Sequence, residues 1–171
     1  MAGNQPTVGF IGLGQMGRGM AANMLRQGVD IIVHDAAAGA MQPLVADGAR
    51  AAASVADLAQ RADVVFTSLP GPVEVEAVAL AGGLVDAARP GLAWFDLSTS
   101  SRALALRLEA AFRERGAAML DAPVAGDRPG PLPATSCSGS AATARSSTGT
   151  SACSRPSRAR RATLARSAPG R

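Results

Sequence analysis

The chain has 171 residues, 47% of them hydrophobic and only 3% aromatic, with 17 basic residues against 13 acidic ones and a formal charge of +4. That length suffices for one domain with a real core, and no apolar run reaches the ~20 residues of a membrane-spanning helix. Its two cysteines, Cys137 and Cys153, have no metal-site spacing around them and make no disulfide framework.

Val8–Ile11 reads as a buried strand that meets a glycine cluster. Gly12, Gly14 and Gly17 form G-x-G-x-x-G, in which the first glycine permits a tight turn and the second lets the backbone approach a pyrophosphate. The third lets the following helix close on the sheet. That helix is predicted from Gln15 to Gln27, with Met16, Met20, Ala21, Met24 and Leu25 on its inner side and Gly28 as its stop. The unpaired N–H groups of its first turn would receive the phosphates. A second strand, Ile31–Val33, ends in His34 and Asp35. An acid there is placed to accept hydrogen bonds from the adenosine ribose, so Asp35 favours NAD, whereas Arg26 or Arg50 folding back would admit NADP.

A second helix is expected over Ala36–Asp47, with Met41, Leu44 and Val45 at helical spacing and Gly48 as its stop. A short outer strand over Ala49–Ala52 follows, then a capped helix from Ser54 to Gln60, with Asp57 in the capping position. Val64–Thr67 is the next strand, opening into the breaker-rich loop Ser68–Pro72, a natural cofactor wall at a strand's carboxyl end. Pro72 can begin a helix whose apolar pattern runs through Val73, Val75, Val78 and Leu80. Leu92–Phe95 is a fifth strand, ending in Asp96-Leu97-Ser98-Thr99. A helix over Arg102–Arg115 carries Leu104, Leu106, Leu108 and Phe112, and Ala117–Asp121 closes the series. Regular alternation of strand and helix with right-handed crossovers predicts an α/β doubly wound parallel sheet of about six strands, the Rossmann type.

The composition breaks after residue 127. Residues 1–127 hold all 13 acids and nine arginines, a charge of −4, whereas 128–171 hold eight arginines and no acid, +8. Only Leu132 and Leu164 are large and aliphatic in that tail, too little to offset the entropy of ordering it, so disorder is expected there. No aromatic residue accompanies its arginines, which argues against a dedicated nucleic-acid surface. The N-terminus lacks the basic region of a secretory signal and runs directly into a strand, and a cytoplasmic protein with no membrane partner is expected.

Four stretches, Gly9–Met24, Ser68–Pro70, Asp96–Ser101 and Asp121–Gly126, resemble the β-hydroxyacid dehydrogenases in order and spacing, a family that includes 3-hydroxyisobutyrate dehydrogenase and the 6-phosphogluconate dehydrogenase cofactor domain. The resemblance covers residues 7 to about 127. It implies hydride exchange between a short hydroxy acid and NAD or NADP. It also implies that the backbone of Gln15 and Met16 donates to the pyrophosphate, that Leu69 and Pro70 lie beside the cofactor, and that Ser98 and Thr99 approach the nicotinamide. Ala125 and Gly126 match a Ser-Gly-Gly that holds the substrate carboxylate, with Ala125 in the serine's place and Asp127 in that of the second glycine. The family's proton-transfer lysine has no counterpart, because the chain contains no lysine.

Residues 128–171 have the composition of a GC-rich gene read out of frame. Shifting the frame by two bases over 128–139, with four-fold Ser and Arg codons, permits A-G-A-A-A-G-D-L-V-L-G, which resembles the family's G-A-x-x-G-x-L-x-x-M-x-G. The expectation is therefore a truncated, catalytically incomplete NAD(P)-binding domain, over 1–127, of a hydroxyacid dehydrogenase, prone to self-association through apolar surface that further domains would cover. A non-catalytic dinucleotide-binding or regulatory module and a basic-tailed nucleic-acid binder are the alternatives.

Overall fold

The computed structural model describes residues 5–124. The basic tail and its expected disorder, together with Ala125 and Gly126, lie outside the described residues. Within them the elements run β1 (Val8–Ile11), α1 (Gln15–Arg26), β2 (Ile31–His34), α2 (Ala38–Ala46), β3 (Arg50–Ala51) and α3 (Val55–Arg61). β4 (Val64–Thr67), α4 (Pro72–Ala79), β5 (Ala93–Asp96), α5 (Arg102–Glu114) and β6 (Ala118–Asp121) complete the series.

The six strands form one parallel sheet in the order β3-β2-β1-β4-β5-β6, the doubly wound arrangement the alternation predicts. Its order reverses between β2 and β4, on either side of β1. That switch point opens a crevice at the carboxyl ends of the strands. All four residues of β1 are buried, as a central parallel strand requires. The register sets Phe10, Phe66 and Phe95 side by side on β1, β4 and β5. Their rings stack across one face, with centroids 6.2 and 5.2 Å apart.

Two apolar cores flank the sheet. One joins Phe10, Ile31 and Val33 to Ala21 of α1 and Leu44 of α2. The larger joins Ile11, Ile32, Val65 and Trp94 to α3, α4 and α5. Within it Trp94 meets Phe112 of α5 at 5.0 Å between ring centroids. Ser54 caps α3 by accepting from the Asp57 amide at 3.0 Å, and Asp57 accepts in return from Ala53 N at 3.0 Å, one residue outside the reciprocal partner of an ideal capping box.

Four apolar positions of the expected helical runs lie at the surface. Val45, Val73 and Leu106 follow the predicted helical runs but fall on the outer side of their helices, Val73 being 72% exposed, and Leu80, just past the end of α4, is exposed as well. Leu84 and Val85, in the turns after α4, are buried instead. α2 also starts two residues later than its expected beginning and carries Pro43 inside it, at the cost of the bond Gly39 would have received.

Candidate functional site

The glycine loop is built by steric demands that differ at each position. Gly12 sits at φ +90°, and a Cβ there would come within 2.3 Å of the Ser68 carbonyl oxygen. A Cβ on Gly17 would lie 1.9 Å from the Gly12 carbonyl oxygen, so α1 packs on the loop only because that atom is missing. Gly14 is different: its φ of −63° suits any residue, and a Cβ there would meet nothing of the chain within 4 Å. Two of the three glycines are explained by the protein's own packing, and the third leaves open space at the mouth of the helix.

That mouth is electropositive. α1 opens at Gln15 with Gly14 as its cap, and its first turn contains no acid. The first intrahelical bond runs from Arg18 N to the Gly14 oxygen, so the amides of Gln15, Met16 and Gly17 have no helical acceptor. Asp35 binds this loop to the end of β2, accepting from Leu13 N at 2.7 Å through Oδ2 and from Ala37 N at 2.8 Å through Oδ1.

A cleft of about 700 Å³ runs along the carboxyl ends of β1, β2 and β4. It brings together Gly12, Gly14, Gln15, Met16, Gly17 and Asp35 with Leu69 and Pro70. Eight of the predicted site residues therefore share one wall system. Its far end, apolar and missed in the sequence, is formed by Val55, Ala77 and Val78. Among the described residues no arginine lines it. Arg50 is paired with Asp30 at 2.6 Å, and Arg26 bonds Asn23 and the Ala22 carbonyl on its own helix. The two cations that could have folded back toward Asp35 are thus engaged elsewhere.

Ser98 and Thr99 are not lining residues of the cleft. Ser98 is 3% exposed, and its Oγ accepts from Leu69 N at 2.9 Å, so it supports the wall from behind. Thr99 is exposed. His34 reaches the cleft at the β2 end with Nδ1 3.3 Å from the Ala52 carbonyl, in keeping with a strand-end role. Behind Ser98, Asp96 is fully buried. On the neighbouring strand its register partner is Asp121. Desolvation pushes the Asp121 carboxyl above its ordinary range, and the Asp96 charge adds to the effect. Among the described residues no group of His, Cys, Asp and Glu could hold a metal ion, and no helix is long and apolar enough to cross a membrane.

Residues 7–148 match the family model for the NAD binding domain of 6-phosphogluconate dehydrogenase. The NAD-dependent L-serine dehydrogenase of Pseudomonas aeruginosa is 45% identical over 124 residues, 72% of this chain and 42% of that protein. The Mycobacterium tuberculosis 3-hydroxyisobutyrate dehydrogenase, solved with L-serine, superposes with a TM-score of 0.66 at 34% identity, over 72% of this chain and 42% of that one. The structure of Psf3 in complex with NADP+ and 2-OPP gives a TM-score of 0.65 at 33% identity, over 70% and 43%. The chain spans about two fifths of the length of the curated relatives it matches.

Proposed function

From the premise that the chain belongs to the 6-phosphogluconate dehydrogenase NAD-binding-domain family, we propose that its cleft holds NAD in the manner of a hydroxyacid dehydrogenase acting on a short hydroxy acid. The observation that carries this reading is Gly14: open space where no packing requires it, beside three amides without helical acceptors. The backbone N–H groups of Gln15, Met16 and Gly17 hold the pyrophosphate, and the α1 dipole supplies the attraction that no arginine of the cleft provides. Asp35 takes the adenosine ribose hydroxyls on its remaining lone pairs, and the Val55, Ala77 and Val78 surface receives the adenine. Leu69 and Pro70 bound the other half, with Ser98 bracing Leu69 from behind and Thr99 at its rim. NAD, when bound, supplies the hydride acceptor. An Asp35 carboxylate would meet a 2′-phosphate as like charge, so NAD is preferred over NADP.

Calorimetric titration of the folded chain with each dinucleotide tests this. We expect saturable binding, tighter for NAD, and a preference that narrows or inverts in Asp35→Ser. A folded sample that binds neither would overturn it.

The 171 residues contain no lysine, and this favours a second reading: the chain as given binds dinucleotide without turnover. An out-of-frame origin for residues 128–171 reconciles that reading with the family, and Ala125 and Gly126 would then be remnants of the substrate-carboxylate loop. The coding DNA decides it. A shifted frame past Asp127 should carry apolar periodicity and a lysine, and one with neither would exclude the idea.

A further inference from the structure

Three polar residues are buried as a whole among the described residues, Thr67, Asp96 and Ser98, and they form one network. Thr67 and Asp96 are the last residues of β4 and β5 and face each other in register. Asp96 Oδ1 accepts from Thr67 Oγ1 at 2.8 Å and from Ser98 N at 3.1 Å. Thr67 Oγ1 in turn accepts from Trp94 Nε1 at 2.9 Å, and Ser98 Oγ accepts from Leu69 N at 2.9 Å. Asp96 Oδ2 is buried with no donor among the described residues.

A half-satisfied buried carboxylate is a poor way to stabilise a sheet. Taking it out of water is costly, and an apolar residue of similar volume there would often leave the fold as stable or more so. Its position suggests what the side chain secures. The adenosine half of the cleft lies by Asp35 and β2, so the nicotinamide half falls to the β4–β5 side of the switch point. There the ladder holds the backbone only as far as Ser68 and Leu97, and the amides of Leu69 and Ser98 are held by side chains. Asp96 ties Ser98 to the end of β4, and Ser98 ties Leu69 to the end of β5.

We propose that Asp96 is a positioning residue for the nicotinamide half of the cleft, fixing Ser98 and through it the Leu69–Pro70 wall in one conformation before ligand arrives. The proposal rests on the dinucleotide reading above. Oδ1 does the holding, so an amide oxygen in the same place can replace it. The carboxylate touches no reacting atom in this role: it is structural toward the loop and felt by the ligand only through Leu69 and Ser98.

The test compares NAD with ADP-ribose, which lacks nicotinamide, by calorimetry on the full chain, together with amide hydrogen exchange at Leu69 and Ser98. In Asp96→Ala we expect faster exchange at Leu69 and an NAD affinity lowered by about tenfold relative to ADP-ribose, the loss of roughly one hydrogen bond's worth of order. Asp96→Asn should restore most of the ratio. Should Asp96→Ala unfold, Thr67→Val removes the same clamp from the other side and should move the ratio in the same direction. An unchanged ratio in the variants that fold, or exchange at Leu69 indistinguishable from the starting protein, overturns the proposal. Failure of the unsubstituted chain to bind either nucleotide would instead count against the dinucleotide reading, while the exchange data would still decide whether Asp96 orders the wall.

Discussion

Alanine at Gly14 and alanine at Gly17 should have opposite consequences, although the two glycines lie three residues apart in one motif. At Gly14 the backbone is already in a conformation alanine adopts, and its Cβ would enter empty space. The substitution gives up a slightly better cap residue and gains from a less flexible unfolded chain, so stability should change by no more than about 0.5 kcal/mol. The new methyl occupies the approach to the Gln15, Met16 and Gly17 amides. Displacing a phosphate from one charge-assisted hydrogen bond costs about 1.5–3 kcal/mol, so NAD affinity should fall by roughly tenfold to a hundredfold. At Gly17 a Cβ lies 1.9 Å from the Gly12 oxygen, a backbone atom that can move only with the loop. Forcing α1 off β1 should cost about 3 kcal/mol or more. Urea unfolding and NAD calorimetry on both variants separate the effects. A Gly14→Ala protein that folds normally and binds NAD like its parent would refute the assignment of the open space to pyrophosphate.

Three further outcomes follow from the packing and the charges. Phe112→Ala removes a fully buried ring that meets Trp94 and should cost about 3–5 kcal/mol in chemical unfolding, and a loss under about 1 kcal/mol would mean that α5 is not docked as described. Asp121 has a raised folded-state pKa, so its stabilising contribution is complete below the unfolded value and is lost as pH rises through the folded one. Asp121→Asn should therefore gain stability relative to its parent as pH rises above the ordinary aspartate range, and a pH-independent difference would contradict this. Asp63 acts in the opposite sense. The Arg89 hydrogen bond, joined by the Thr7 amide, lowers its pKa, so its contribution is lost as pH falls through the folded value.

Much of the fold is legible because parallel strands announce themselves as unbroken apolar runs. Val8–Ile11 and Val64–Thr67 have the bounds read from the sequence. Helices were less exact because an apolar residue at helical spacing still has to choose a face. Leu104, Leu108 and Phe112 turn inward, whereas Leu106, in the same run, is 54% exposed. The glycine motif and Asp35 were readable because their spacing is local to one strand–turn–helix unit. The wall behind the cleft was not. Thr67, Asp96 and Ser98 meet only through the register of β4 with β5, 29 residues apart along the chain from Thr67 to Asp96, and no local pattern encodes that pairing. The family resemblance sets Ser98 in the segment approaching the nicotinamide, whereas the structure spends its hydroxyl on Leu69.

Trp94 is the chain's single tryptophan, and there is no tyrosine. Light absorbed near 295 nm is therefore re-emitted from one indole, which is shielded from water and bonded to the Thr67 hydroxyl. The protein thus carries its own optical gauge at the end of β4. Its emission should lie well to the blue of an exposed indole and move to the red when that hydroxyl contact loosens. Every change in the wall that Thr67 helps to hold can then be followed in a cuvette without attaching a dye.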